Sequence, residues 1–64
     1  MPIIRVEMFA GRSRELKRSL AKELTEGFLR VCSGKPEGIT ILIEDVAKEN
    51  WAVAGELMAD RYAE

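Results

Sequence analysis

The sequence predicts an α/β protein in which a β-α-β unit is followed by a short C-terminal β-hairpin. Three features of the 64 residues support this prediction. An alternating apolar segment comes first, an apolar stripe with helical spacing follows, and a β-branched run comes after a turn rich in glycine and proline. A chain of this length has room for one domain, so residues 1–64 are predicted to form a single domain.

The first strand is predicted over residues 2–9. Alternate residues of a strand face opposite sides, and here one side is apolar while the other is mixed. The apolar side holds Ile4, Val6 and Met8, and the mixed side holds Ile3, Arg5, Glu7 and Phe9. The pattern breaks at residues 10–12, and Ser13 then suits a helix N-cap because its hydroxyl can accept a hydrogen bond from a free N–H of the first turn.

A helix is predicted from Arg14 to about Ser33. Its apolar residues recur mostly at spacings of three and four and form one stripe, which comprises Leu16, Leu20, Leu24, Phe28, Val31 and Cys32. Because Cys32 completes this stripe, we expect it to lie in the core. Gly34 suits the left-handed conformation that follows many helices, and Pro36 prevents the helix from continuing.

The second strand is predicted over residues 39–43, an almost continuous β-branched run. Such a run is typical of an interior strand that is covered on both faces. A strand, a helix and a second strand form a β-α-β unit with parallel strands and a right-handed crossover. Residues 45–50 are predicted to be a polar connector with room for a single helical turn. Residues 51–55 are expected to turn a hairpin before Leu57 and Met58.

Such a small unit is predicted to associate with copies of itself. A two-stranded sheet with one helix is not expected to be stable alone, and short chains often depend on disulfides, metals or association. Cys32 is the single cysteine and there is no histidine, so neither an internal disulfide nor a zinc site is expected. With 47% hydrophobic residues, the chain carries more apolar surface than one small unit can hide.

The charge and hydropathy of the chain argue against several classes of protein. Its formal net charge is −1, and its positive residues form no basic stripe, so nucleic-acid binding is not expected. No apolar run approaches the roughly 18 residues that a membrane span requires. Arg5 and Glu7 interrupt the apolar start, which therefore does not resemble a signal peptide. We expect a cytoplasmic protein, in keeping with a single unpaired cysteine.

The start of the chain is its strongest candidate for chemistry. Without histidine there is no Ser-His or Cys-His pair, and Gly11 stands alone rather than in a phosphate-binding loop. Removal of Met1 would expose the secondary amine of Pro2. An α-amino group has a pKa of about 8, and an apolar pocket lowers that pKa by disfavouring the charged form. Pro2 is therefore a candidate general base.

Three segments together resemble the 4-oxalocrotonate tautomerase (2-hydroxymuconate tautomerase) family of short tautomerases. They are Pro2-Ile3-Ile4, the turn Gly11-Arg12-Ser13, and the stretch of residues 48–55 that contains Trp51 and Gly55. The resemblance covers essentially the whole chain. It implies β-α-β units that pair into four-stranded sheets and assemble as a homohexamer of three dimers, as in the tautomerase (MIF-like) fold.

The resemblance also implies an activity and its residues. The family moves a proton between oxygen and carbon of enol or dienol acids such as 2-hydroxymuconate, without a cofactor or metal, and serves in aromatic degradation. Pro2 corresponds to the catalytic base. Arg12 corresponds to the residue that binds a substrate carboxylate and usually comes from a neighbouring subunit. Trp51 corresponds to the aromatic wall of the pocket.

Thr40 departs from the family pattern, because archetypal members carry a second arginine there. A hydroxyl supplies no positive charge, so it stabilises a dienolate less well. We expect slower turnover of dicarboxylates or a preference for a monocarboxylate, with Arg5 or Arg61 as possible substitutes. Two alternatives stay open: a noncatalytic subunit of a mixed oligomer, and a hydratase or dehalogenase. Phe9 argues against the latter because some dehalogenase subunits have arginine there.

Overall fold

A computed structural model describes residues 2–62 of the chain. The elements in this range are strands β1 (Ile3–Phe9) and β2 (Thr40–Val46), helix α1 (Arg14–Cys32) between them, hairpin strands β3 (Ala52–Val53) and β4 (Glu56–Leu57), and the short helix α2 (Met58–Arg61). Single 3-10 turns span Pro36–Gly38 and Lys48–Asn50. The β-α-β unit and the C-terminal hairpin are thus confirmed. The predicted removal of Met1 concerns a residue outside the described range.

Strands β1 and β2 pair in parallel, as predicted. Ile3 lies opposite Thr40 at the start of the ladder, and Phe9 lies opposite Val46 at its end. Within β1 the predicted alternation is present, because Ile4 and Val6 are half-buried whereas their neighbours on the other face are exposed. Helix α1 covers one face of the two-stranded sheet and leaves the other face open.

The bounds predicted for the second strand are wrong at both ends. Ile39 precedes the strand, and β2 continues through Glu44 and Asp45 to Val46. The reason is that ladder hydrogen bonds join backbone groups, so polar side chains do not end the pairing. Asp45 is stabilised on the helix side by Lys17, whose Nζ lies 2.6 Å from Oδ2. The predicted connector is therefore shorter, and its helical turn is limited to Lys48–Asn50.

Helix α1 begins and ends close to the predicted residues. The Ser13 hydroxyl accepts a hydrogen bond from the Leu16 N–H at 3.1 Å, as an N-cap does. After Cys32 the backbone turns through Ser33 and Gly34, whose φ angles are 63° and 116°. A positive φ favours glycine, which explains why Gly34 follows the helix end.

The prediction that Cys32 lies in the core is wrong for a single chain, because this residue is exposed. The neighbouring Val31 is 84% exposed. Both belong to the apolar stripe, but the last helical turn finds no covering element within residues 2–62. The spacing correctly identified an apolar face, and the structure shows that the chain itself does not cover the end of that face.

The hairpin forms at the predicted place. Ala54 and Gly55 both have positive φ, 54° and 82°, as the two central residues of a type I′ turn require. The chain then folds back, and the Met58 N–H donates to the Trp51 carbonyl at 2.7 Å. Met58, at 3% exposed, is the one buried residue among the described residues.

The dimensions of the chain show how little of its surface one copy covers. Its radius of gyration is 14.9 Å, against about 11 Å expected for a compact chain of this length. Its accessible surface is 5110 Å², about a quarter more than a folded monomer of this mass exposes. On the open sheet face, Ile3 is 60% and Leu42 is 42% exposed. The predicted covering of β2 on both faces is not met within a single chain.

The N-cap provides a direct test of the helix start. Replacing Ser13 with alanine should lower the free energy of unfolding by about 1 kcal/mol, because the first turn loses its side-chain acceptor. Denaturant unfolding at one fixed protein concentration measures this change. Ser19→Ala is the matched control, since Ser19 is an exposed residue inside the same helix. Equal destabilisation by the two substitutions would contradict the assigned cap.

Candidate active site

Pro2 and Thr40 lie side by side at the start of the two parallel strands. The Thr40 N–H donates to the Pro2 carbonyl at 3.1 Å, one step before the ladder begins at Ile3. Because parallel strands start at the same edge of a sheet, this contact follows directly from the β-α-β topology. The structure therefore brings together two of the four residues that the sequence singled out.

A cavity of about 520 Å³ opens beside Pro2. It is formed where the end of α1, the turn after it and the start of β2 meet. Its lining residues are Pro2, Phe28, Cys32, Ser33, Gly34, Lys35, Gly38 and Ile39. Phe28 and Ile39 make part of this lining apolar, whereas Pro2 itself is exposed. Thr40 is half-buried and does not line this cavity.

Arg12 lies at the opposite end of β1. It follows the turn in which Gly11 adopts a φ of 113°, and its side chain is exposed. The seven residues of β1 separate Arg12 from Pro2, a span of roughly 20 Å at 3.3 Å per residue. A single chain therefore does not bring these two residues to one substrate.

Trp51 also lies at the far end of the sheet from Pro2. Its ring packs against Phe9, the last residue of β1, with centroids 4.5 Å apart and planes tilted by 57°. Lys48 Nζ lies 5.8 Å from the centroid of Phe9 and 5.4 Å from that of Tyr62. These side chains form an aromatic cluster at the end of β1. No sequence pattern pairs Phe9, which ends β1, with Trp51, which directly precedes β3.

The two arginines named as substitutes for a cation at Thr40 lie elsewhere. Arg5 is exposed in the middle of β1, opposite Leu42. Arg61 in α2 pairs with Glu56, with 3.1 Å between Nε and Oε1. Neither lines the cavity beside Pro2. The cation that does so is Lys35, which sequence analysis missed because its place depends on the geometry of the turn after α1.

Residues 2–62 contain no cluster of three or more potential metal ligands among cysteine, aspartate and glutamate side chains. In the same range, no helix combines the length and the apolar character needed to cross a bilayer.

The sequence matches a family of known enzymes over nearly its whole length. Residues 2–61 match the family model described as "Tautomerase enzyme". A 2-hydroxymuconate tautomerase from Bacillus subtilis is 37% identical over 60 residues, which cover 94% of this chain and 97% of the relative. The chain therefore matches this relative over almost all of both lengths.

Two solved structures have closely similar folds. One is among the 4-oxalocrotonate tautomerase isozymes from Methylibium petroleiphilum, with 35% identity, a TM-score of 0.93 and 97% of each chain covered. The other is a heterohexamer 4-oxalocrotonate tautomerase from Chloroflexus aurantiacus, with 30% identity and a TM-score of 0.88. That match covers 94% of this chain and 97% of the other. These similarities confirm the predicted fold class.

The contact between Phe9 and Trp51 can be tested by Phe9→Leu, which keeps an apolar side chain but removes the ring. The free energy of unfolding should fall by about 1 kcal/mol through loss of the aromatic pair. The near-ultraviolet circular dichroism of Trp51, the single tryptophan, should also change. Phe28→Leu is the matched control, because the described residues place no aromatic ring against Phe28. Unchanged Trp51 spectra in the Phe9 variant would contradict the contact.

Proposed function

Since this chain belongs to the tautomerase family of isomerases, as its resemblance to 4-oxalocrotonate tautomerases predicted, we propose that it interconverts enol or dienol and keto forms of 2-oxo acids. The proposed model substrate is 2-hydroxymuconate, the substrate class in the name of the Bacillus subtilis relative. The observation that carries the proposal is the place of Pro2, which lies directly before β1 and lines a partly apolar cavity.

In the proposed mechanism, Pro2 is the general base after removal of Met1. Its neutral secondary amine takes the proton from the 2-hydroxyl group of the dienol, and the resulting ammonium returns a proton to carbon. Electrons move from the oxygen through the conjugated system, so the product is the 2-oxo acid and Pro2 is regenerated. Phe28 and Ile39 make part of the cavity apolar, which suits this role, but Pro2 is exposed in a single copy. A lowered pKa of the amine would therefore depend on neighbouring copies that cover Pro2.

The proposed site combines residues from more than one copy of the chain. Pro2 and Thr40 come from one copy, while Arg12 and Trp51 come from neighbours, because these pairs lie at opposite ends of the sheet. Arg12 would bind a substrate carboxylate through its guanidinium group, and Trp51 would wall the pocket. The open sheet face and the large exposed surface support association, and we propose a homohexamer of three dimers.

Thr40 would contribute a hydrogen bond rather than a charge. Its backbone N–H binds the Pro2 carbonyl, and as a neutral donor its hydroxyl would stabilise a developing dienolate less than a guanidinium does. Taken alone, Thr40 therefore predicts slower turnover of dicarboxylates, or a preference for a monocarboxylate such as an arylpyruvate enol.

A noncatalytic subunit of a mixed oligomer is the alternative proposal. Two observations favour it: Thr40 stands where archetypal family members carry an arginine, and a structurally similar tautomerase is a heterohexamer. Co-purification with a homologous chain in equal amounts would support this alternative, whereas a homogeneous active oligomer would exclude it.

We also propose a cellular location, a domain organisation and a metabolic role for the protein. We place it in the cytoplasm, in keeping with the unpaired Cys32, as a single domain over residues 1–64. A role in aromatic degradation would fit a dienol acid substrate.

The test of the mechanism compares the protein with its Pro2→Ala variant. Ketonisation of 2-hydroxymuconate and of phenylpyruvate enol, followed by ultraviolet absorbance, should fall by about a hundredfold or more, because a flexible primary amine replaces the ring nitrogen that is the proposed general base. Intact mass should show that Met1 has been removed in both proteins, so that the comparison isolates the ring nitrogen. A correctly trimmed wild-type protein with no activity on either substrate would reject this function and favour the noncatalytic subunit.

A further inference from the structure

Lys35 is the charged side chain of the cavity beside Pro2. Among the described residues that line this cavity, no other carries a formal charge at neutral pH, and no carboxylate is present. The two side-chain ion pairs found within residues 2–62 join Lys17 to Asp45 and Arg61 to Glu56, so neither engages Lys35. A lysine ammonium without a carboxylate partner, at the edge of a partly apolar cavity, favours an anionic ligand group.

The backbone holds Lys35 in one place by three separate constraints. The turn before it depends on the positive φ angles of Ser33 and Gly34. Lys35 itself is extended, with φ −116° and ψ 143°, as expected for a residue that precedes a proline. Its carbonyl accepts the Gly38 N–H at 3.0 Å. The side chain can still choose among rotamers, but its starting point beside the cavity is fixed.

We propose that Lys35 binds a carboxylate of the substrate on the Pro2 side of the site and thereby makes the site selective for dicarboxylates. This proposal deepens the proposed function and rests on it. Thr40 supplies no charge next to Pro2, and Arg12 lies at the far end of β1. With Lys35 on one side and Arg12 of a neighbouring copy on the other, two cations match the two carboxylates of a muconate-type acid.

Lys35 changes the substrate preference that is expected from Thr40. Without Lys35, the Pro2 side of the site would hold only neutral groups, and monocarboxylates would be expected to be preferred. With Lys35, the charge is present but comes from the turn after α1 rather than from the start of β2. The lysine ammonium is a compact charge on a flexible side chain, whereas the arginine guanidinium is planar and can bind both oxygens of a carboxylate. Lysine therefore attracts a carboxylate without fixing its orientation as firmly as arginine does.

The test uses two ligands that share a six-carbon diene and differ in charge. Muconate has two carboxylates and sorbate has one, and neither carries the 2-hydroxyl group that the reaction requires. Calorimetric titration of the intact oligomer should show tighter binding of muconate than of sorbate. Lys35→Met should weaken muconate binding by about tenfold, the effect of losing one charge-assisted contact. Sorbate binding should change by less than about twofold.

Two control variants sharpen this test. Lys22→Met removes an exposed lysine of α1 that does not line this cavity, so it should leave both affinities unchanged. Lys35→Arg keeps the positive charge and should retain the preference for muconate. High salt should reduce the difference between wild type and Lys35→Met, because mobile ions screen the attraction.

The outcomes separate this proposal from the mechanism at Pro2. Equal preference for muconate in wild type and Lys35→Met, or no preference in the wild type, would overturn the role of Lys35. Loss of the preference in Lys35→Met together with unchanged turnover in Pro2→Ala would support Lys35 and reject Pro2 as the base. Binding of these ligands does not depend on proton transfer, so the two results are independent.

Discussion

The parallel pairing of β1 with β2 determines where each candidate site residue lies. Because both strands run in the same direction, their first residues meet at one edge, and the Thr40 N–H binds the Pro2 carbonyl there. At the other edge, Phe9 lies opposite Val46 and packs against Trp51. A rigid strand of seven residues keeps the two ends apart. No loop movement within one chain can bring them to the same small substrate.

Association would meet two requirements at once. One copy exposes apolar residues such as Ile3 and Leu42 on its open sheet face and has Met58 as the one buried residue in residues 2–62. Covering that face with other copies would supply the core that the chain lacks. The same contacts could place Arg12 and Trp51 of one copy beside Pro2 of another. Stability and catalysis would then depend on the same interfaces.

Sequence reasoning succeeded where local physical chemistry decides the outcome. The Ser13 cap, the end of α1 before Gly34 and the hairpin turn at Gly55 each follow from conformational preferences of single residues. It failed at the end of β2, where backbone pairing continues under polar side chains. It also missed Lys35, whose position depends on how the turn after α1 folds back toward Pro2. Tertiary placement of this kind is not encoded in any local pattern.

The central claim is that Pro2 and Arg12 act at one site from different copies, and mixing two inactive variants tests it most directly. Pro2→Ala and Arg12→Ala chains would be co-expressed, and ketonisation of 2-hydroxymuconate measured for the mixed oligomer. If the residues come from different copies, random assortment restores both in about a quarter of the sites, and activity should return toward that fraction of wild type. If both residues acted from the same copy, every site would lack one of them, and the mixture would stay as inactive as its parents.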